Sequence, residues 1–202
     1  MSSVTTRKPL KHSFALPNIL TYSRIAAVPI VVACMYAQSI GNGPLWLRWI
    51  ALAVFIIAAV TDFFDGYYAR IWNQQSAFGR MLDPIADKLL VSSCLLMLAA
   101  DETIKGWSLW AAIVILCREI LVSGLREYLA DLKVSVPVTR LAKWKTTIQM
   151  VAIAVLLAAP ALDKIIPYST ETGIILLWIA ALITLYTGYG YFRAGLKHII
   201  DE

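Results

Sequence analysis

The chain has 202 residues, 59% of them hydrophobic, with a mean hydropathy of +0.70 and a formal net charge of +5. A soluble domain is ordinarily about 45–50% apolar, so this composition excludes a water-soluble domain and points to a membrane protein. The positive charge calls for no nucleic acid, because basic residues beside an anionic leaflet attract lipid headgroups and phosphorylated substrates.

Apolar runs cover roughly 19–40, 45–61, 85–100, 107–125, 146–162 and 173–192. Each approaches the ~20 residues that a helix needs to cross a hydrocarbon layer ~30 Å thick. The expected fold is all-α, a bundle of six transmembrane helices. The first run is too long for the apolar stretch of a signal peptide, no small-residue cleavage site follows it, and five more runs come after. Pro29 lies inside it and predicts a kink. Gly41, Asn42, Gly43 and Pro44 form the first break. The second helix should continue past its apolar run into a polar segment that begins at Asp62. Residues 71–78 then form a short loop to the third helix. Asp101, Glu102, Thr103 and Gly106 break the third run from the fourth, and Pro160 and Pro167 bracket the loop before the sixth. No linker, low-complexity tract or internal repeat appears. Residues 1–202 read as a single transmembrane catalytic domain, with 1–15 as a flexible or juxtamembrane lead.

Orientation follows from the basic residues. With six spans and the N-terminus inside, the outer loops hold only Arg48, Lys105 and Lys164, and the other fifteen of the 18 Lys and Arg residues fall on the inner side. Both termini and the polar segment after Asp62 are therefore expected to face the cytoplasm. Cys34, Cys94 and Cys117 match no metal-site spacing and offer no disulfide pair, so they are expected as small buried hydrophobes.

The polar segment carries the chemistry. Residues 62–90 read DFFDGYYARIWNQQSAFGRMLDPIADKLL, which is D-x2-D-G-x2-A-R-x8-G-x3-D-x3-D. Carboxylates are expensive in an apolar background unless a function holds them there. Asp62 and Asp65 are three apart and share a helix face. Asp83 and Asp87 are four apart at the start of the next helix and share another. The short loop between brings all four into one pocket near the membrane surface. Unpaired, they would repel and raise one another's pKa values. Divalent cations remove that penalty, and an oxygen-only donor set favours hard ions such as Mg²⁺, Mn²⁺ or Ca²⁺. Gly66 and Ala69 let a ligand or a second helix approach the backbone, and Arg70 is placed to pair with a phosphate. This is chemistry for two metals bridging a pyrophosphate, with a carboxylate left over as base. Interfacial salt bridges to Arg70, Arg80 and Lys88 are the plain alternative, and a cation pathway through the membrane is another. Eight residues at fixed offsets disfavour the first. The position of the aspartates at helix ends disfavours the second.

The pattern resembles the signature of the CDP-alcohol phosphatidyltransferases at all eight positions. That resemblance implies a six-helix membrane bundle that pairs into a homodimer. It also implies transfer of a phosphatidyl or similar group from a CDP-linked donor to an alcohol, with release of CMP. It makes Asp62, Asp65, Asp83 and Asp87 the ligands of two ions, Mg²⁺ or Mn²⁺, with Asp87 also the general base. Gly66, Ala69, Arg70 and Gly79 would shape the nucleotide site, with Ser76 as a further donor. Leu16, Pro17, Asn18, Ile19, Leu20 and Thr21, followed by Arg24, look like the family's first-helix start, which adds Asn18 and Thr21 to that site. Pro17 fits a first helical turn, and a simple helix cap is the competing role for Asn18.

The segments CREILVSGLREYLADL and RLAKWKTTIQM resemble the bacterial branch of this family whose acceptor is sn-glycerol 3-phosphate and whose donor is CDP-diacylglycerol. Ala142 stands where that branch more often has glycine. Arg118, Val122 and Arg126 follow one face of the fourth helix, and Glu119, Ser123 and Glu127 the adjacent one. Lys143, Lys145 and Thr146 open the fifth. A doubly charged phosphate needs such cations, so Arg118, Arg126, Lys143 and Lys145 are the candidate acceptor-phosphate residues. A positive-inside anchor is the competing role for Lys143 and Lys145. The expected enzyme sits in a bacterial cytoplasmic membrane among its lipids, with its site facing the cytoplasm. A sister transferase of cardiolipin-synthase type, using phosphatidylglycerol as acceptor, is the nearest alternative. A cation-binding transporter is the non-enzymatic one.

Overall fold

The structure is a computed structural model. It describes the backbone of residues 16–72, 77–131 and 140–200, and the side chains of these except at 16–19, 62–72, 77–80, 130–131, 140, 142–143 and 194–200. Six α-helices follow one another: α1 (Leu16–Ser39), α2 (Trp46–Trp72), α3 (Ala77–Ala100), α4 (Ser108–Asp131), α5 (Arg140–Leu162) and α6 (Ser169–Ile200). No strand occurs among the described residues. Among the described residues four stretches are long and apolar enough to cross a membrane: Leu20–Ser39, Ser108–Leu129, Trp144–Leu162 and Ser169–Arg193, with a shorter apolar helix at Trp46–Thr61. In lipid every backbone N–H and C=O must be satisfied within the segment, which selects helices.

The predicted elements and the observed ones agree in number and order. The polar segment adds length: α2 runs on to Trp72 and α3 begins at Ala77. Asp83 and Asp87 therefore lie in the second and third turns of α3, not at its start. Helix propensity and i→i−4 hydrogen bonding carry both helices well past their apolar runs. Pro29 stands inside α1, which is helical on both sides of it. The first break needs its glycines: a Cβ on Gly41 or Gly43 would lie 2.7 or 2.6 Å from the Ala37 carbonyl oxygen. The close approach lets the Gly41 and Gly43 N–H groups donate to the last carbonyls of α1, at 3.1 and 2.9 Å.

α5 packs most extensively on α6, α1 on α2 and α3, α4 on α6, and α2 on α5. The buried core includes Val31, Met35, Phe55, Leu90, Leu95, Ile115, Ile153, Leu156 and Leu177, interleaved with Ala51, Ala111, Ala152, Ala180 and Ala181. Small side chains matter because lipid tails are as apolar as leucine, so helices associate by close packing rather than by escape from water. Gly173 shows how close: a Cβ there would stand 2.7 Å from Leu156 Cδ2. The outer surface is apolar as well, with Ile57, Leu96, Ile120, Leu121, Leu182 and Tyr186 all exposed. That pattern suits lipid as solvent.

Two expectations change. Cys94 is buried and Cys34 half-buried, but Cys117 lies exposed on the outside of α4, where an apolar surround does not require burial in protein. Arg48 is no loop charge. It sits in the first turn of α2, 2% exposed, and forms an ion pair with Asp101, whose side chain is 1% exposed. Arg48 Nε also donates to Gln38 Oε1 at 2.5 Å, and the Thr103 N–H donates to Asp101 at 3.0 Å. α1, α2 and the α3–α4 turn are thus clamped at the end of α2 and α3 remote from the aspartates.

Candidate functional site

Asp62, Asp65, Gly66, Ala69 and Arg70 lie in the last three turns of α2, and Gly79 in the first turn of α3. Their side chains fall outside the described residues, as do those of Asn18 in α1 and Lys143 in α5, and Ser76 altogether. Asp83 and Asp87 are described. They stand one turn apart on α3, each half-buried. The Thr21 hydroxyl, 1% exposed on α1, donates to Asp83 Oδ1. One nucleotide-site candidate and one metal-ligand candidate therefore meet where α1 packs on α3. Arg24, one turn on from Thr21, is also 1% exposed. Among the described residues no group of three His, Cys, Asp or Glu side chains gathers; the aspartates on α2 are not in that set.

Asp87 lines a small cleft between α3, α4 and α5. Its lining is Asp87, Lys88, Val91 and Ser92 from α3, Glu119 from α4, and Lys145, Thr146, Gln149 and Met150 from α5. Lys145, 4% exposed, donates to Glu119 Oε1. Arg118 reaches the same oxygen at 3.3 Å through Nη1, and Thr187 Oγ1 on α6 at 3.3 Å through Nη2. Its guanidinium lies 6.0 Å from the centroid of the Tyr191 ring. Gly188 makes room for it, since a Cβ there would be 3.1 Å from Arg118 Cγ. Lys88 Nζ donates to Ser123 on α4.

The structure thus brings Asp87, Lys145 and Arg118 to one place and leaves Arg126 exposed on α4. The face predicted for Arg118, Val122 and Arg126 splits, because Val122 is buried against the bundle while Arg126 lies beyond it. Glu119 lies on the adjacent helix face, where spacing alone points to no role. It is the anion that holds two cations beside the cleft. Gln149, which no motif marks, is 3% exposed and lines the cleft. The available signal is a polar residue four positions after Lys145, the last polar side chain before the apolar remainder of α5.

The arrangement can gather anionic oxygens between cations and a carboxylate at a membrane edge. The conserved-pattern description "CDP-alcohol phosphatidyltransferase" matches residues 14–186, and the chain belongs to that family. It is 48% identical over 183 residues to a CDP-diacylglycerol–glycerol-3-phosphate 3-phosphatidyltransferase of Rickettsia bellii, covering 91% of this chain and 96% of the relative. The protein of the same description from Cereibacter sphaeroides is 40% identical over 224 residues, covering 94% and 99%. The one from Escherichia coli strain K12 is 37% identical over 191 residues, again covering 94% and 99%.

Proposed function

We propose that this chain transfers a phosphatidyl group from CDP-diacylglycerol to sn-glycerol 3-phosphate, giving phosphatidylglycerophosphate and CMP. The observation that carries the acceptor is the cleft itself, where Asp87 shares a wall with Lys145 and with the Glu119 that Arg118 also touches. The full-length likeness to relatives bearing that activity in their names supports the same reading.

Asp62, Asp65, Asp83 and Asp87 would hold two divalent ions, Mg²⁺ or Mn²⁺. The described donors fit such ions: Asp83 and Asp87 offer carboxylate oxygen one turn apart, and all three cysteines lie elsewhere. Bound there, the ions supply positive charge against the pyrophosphate of the donor. Asn18, Thr21, Gly66, Ala69, Arg70, Ser76 and Gly79 would surround the nucleotide. Arg118 and Lys145, with Lys143 and Arg126 further out, would hold the acceptor phosphate. Glu119 keeps Arg118 and Lys145 together before the acceptor arrives, offsetting their mutual repulsion. Asp87 accepts the proton of the glycerol 1-hydroxyl. That oxygen then forms a bond to the phosphorus carrying diacylglycerol, the bond from this phosphorus to the CMP oxygen breaks, and CMP leaves with the electron pair. The acyl tails stay in lipid throughout. The site facing the cytoplasm and a homodimeric assembly complete the proposal.

CMP release from CDP-diacylglycerol, followed with a panel of alcohols, tests it. Release should depend on glycerol 3-phosphate and on a divalent cation. Equal or better turnover with phosphatidylglycerol would move the chain to the sister activity, and no release with any alcohol would overturn the transferase. Asp62→Asn, Asp65→Asn and Asp83→Asn should each abolish turnover in protein that still inserts. Asp87→Asn should lose catalysis yet keep donor binding.

A further inference from the structure

Gln149 is the unexplained polar group of the cleft. Its side chain is 3% exposed, on α5 one turn beyond Lys145. Its Oε1 is buried and, among the described residues, accepts no hydrogen bond. Lys145 Nζ donates to Glu119 and not to this oxygen. Buried amide oxygens without a donor are rare in native structures because the lost hydration is not returned. A helix that packs against lipid and protein has no need of glutamine at a buried position, where leucine or methionine would fill the space. Gln149 lines the cleft that Asp87 also lines. A ligand that enters this cleft and carries an O–H group supplies what Oε1 lacks.

We propose that Gln149 is a specificity-determining residue that accepts a hydrogen bond from the acceptor's non-reacting hydroxyl. This rests on the reading of the cleft as the site of a phosphorylated glycerol. Such an acceptor has three polar points: a phosphate, a reacting primary hydroxyl, and a secondary hydroxyl between them. Lys145, the cation of the cleft that α5 supplies, takes the phosphate. Asp87, on the facing helix, takes the reacting hydroxyl. Gln149 shares α5 with Lys145 and the cleft wall with Asp87, so the middle hydroxyl falls to it. An acceptor without that hydroxyl would bury Oε1 against carbon and leave it unpaired. Sites built to hydrogen-bond a hydroxyl discriminate strongly against analogues that lack it, for this reason.

The test compares sn-glycerol 3-phosphate with 3-hydroxypropyl phosphate, which keeps the phosphate and the primary hydroxyl but lacks the middle one. The full-length protein in detergent or vesicles is used, with CMP release as readout. The wild-type protein should favour glycerol 3-phosphate in kcat/KM by about 5- to 150-fold, the range for leaving one buried polar group unpaired. In Gln149→Met, which keeps an unbranched side chain of similar length, that preference should fall to within about threefold. The KM for CDP-diacylglycerol should not move. Equal losses for both acceptors in Gln149→Met would assign the residue to packing or to a bound water and overturn the proposal. Should that variant fail to fold, Gln149→Asn, which keeps the amide but withdraws it by one methylene, takes its place with the same fall in preference expected, and an unchanged preference in it overturns the proposal, as does equal use of the two acceptors by the wild-type protein. Failure of the wild-type protein to release CMP with either acceptor would instead overturn the underlying reading of the cleft.

Discussion

Replacing one member of the Arg48–Asp101 pair should unfold the bundle far more readily than replacing both. Arg48 is 2% exposed and the Asp101 side chain 1%. Asp101→Asn would leave the guanidinium buried with Gln38 as its remaining acceptor. Arg48→Met would leave a buried carboxylate with the Thr103 N–H as its remaining donor. Removing one partner of a buried ion pair costs about 3–5 kcal/mol, because the other charge stays without compensation. That is a large part of the roughly 5–15 kcal/mol by which a folded domain typically exceeds its unfolded state. The double variant Arg48→Met with Asp101→Leu buries no charge, and such replacements range from neutral to stabilising by about 1–4 kcal/mol. Here the lost Thr103 contact offsets about 1 kcal/mol of that gain. The coupling in a double-mutant cycle should therefore exceed about 3 kcal/mol. Denaturation of the four proteins in the same detergent, followed by loss of helical signal, measures it. The pair lies at the end of α2 and α3 remote from the cleft, so acceptor KM should hold in whatever fraction stays folded. Single variants that cost under 1 kcal/mol, or a double variant that costs their sum, would refute the reasoning.

Arg118→Ala should raise the acceptor KM by roughly 10- to 150-fold through loss of a charge-assisted contact, with the donor KM little changed; Arg118→Lys should rescue only in part, since a point charge does not reproduce the guanidinium fork. A larger effect on the donor would place the basic cluster with the nucleotide. Gly188→Ala puts a Cβ 3.1 Å from Arg118 Cγ, so it should shift the acceptor KM in the same direction by less, and an unchanged KM would show that Arg118 has slack. Asp163 accepts hydrogen bonds from the Thr170 hydroxyl and from the Ser169 and Thr170 N–H groups, and the Thr170 hydroxyl is the main cause holding its carboxyl below the usual range. A depressed folded-state pKa stabilises the fold above the unfolded-state value and loses that contribution as pH falls through the folded one. The gap between wild type and Asp163→Ala in denaturation should therefore be full above about pH 4 and narrow progressively as pH falls further, through the depressed folded-state value, and a constant gap across that range would exclude the carboxylate as the cause. In a background lacking Cys34, Cys94 and Cys117, a cysteine at Asn42 should react with an impermeant thiol reagent from outside, and one at Gln74 only after the membrane is opened. The reverse pattern would invert the proposed orientation.

Much of the architecture was legible without coordinates. Apolar runs near 20 residues and turn chemistry such as Gly41–Asn42–Gly43 are local properties, and the bilayer demands helices of them wherever their partners lie. The eight-position motif was legible for a related reason: i,i+3 and i,i+4 spacings fix which carboxylates share a face. The candidate acceptor residues were only partly legible. Periodicity put Arg118 and Arg126 on one face, but a face is wider than a cleft, and burial in the bundle separates the two.

The sequence by itself determined the helices, their order and the spacing of the motif in residues 62–90, because each depends on neighbours a few positions away. Only the tertiary structure decided which charges meet. Glu119 and Lys145 are 26 positions apart, and Arg48 and Asp101 are 53 apart, distances over which no local periodicity carries information. It also decided that Cys117 faces outward and that Gln149 borders the cleft. Helical spacing says which residues share a face. Which neighbouring helix covers that face is settled by the packing of small and large side chains across the whole bundle.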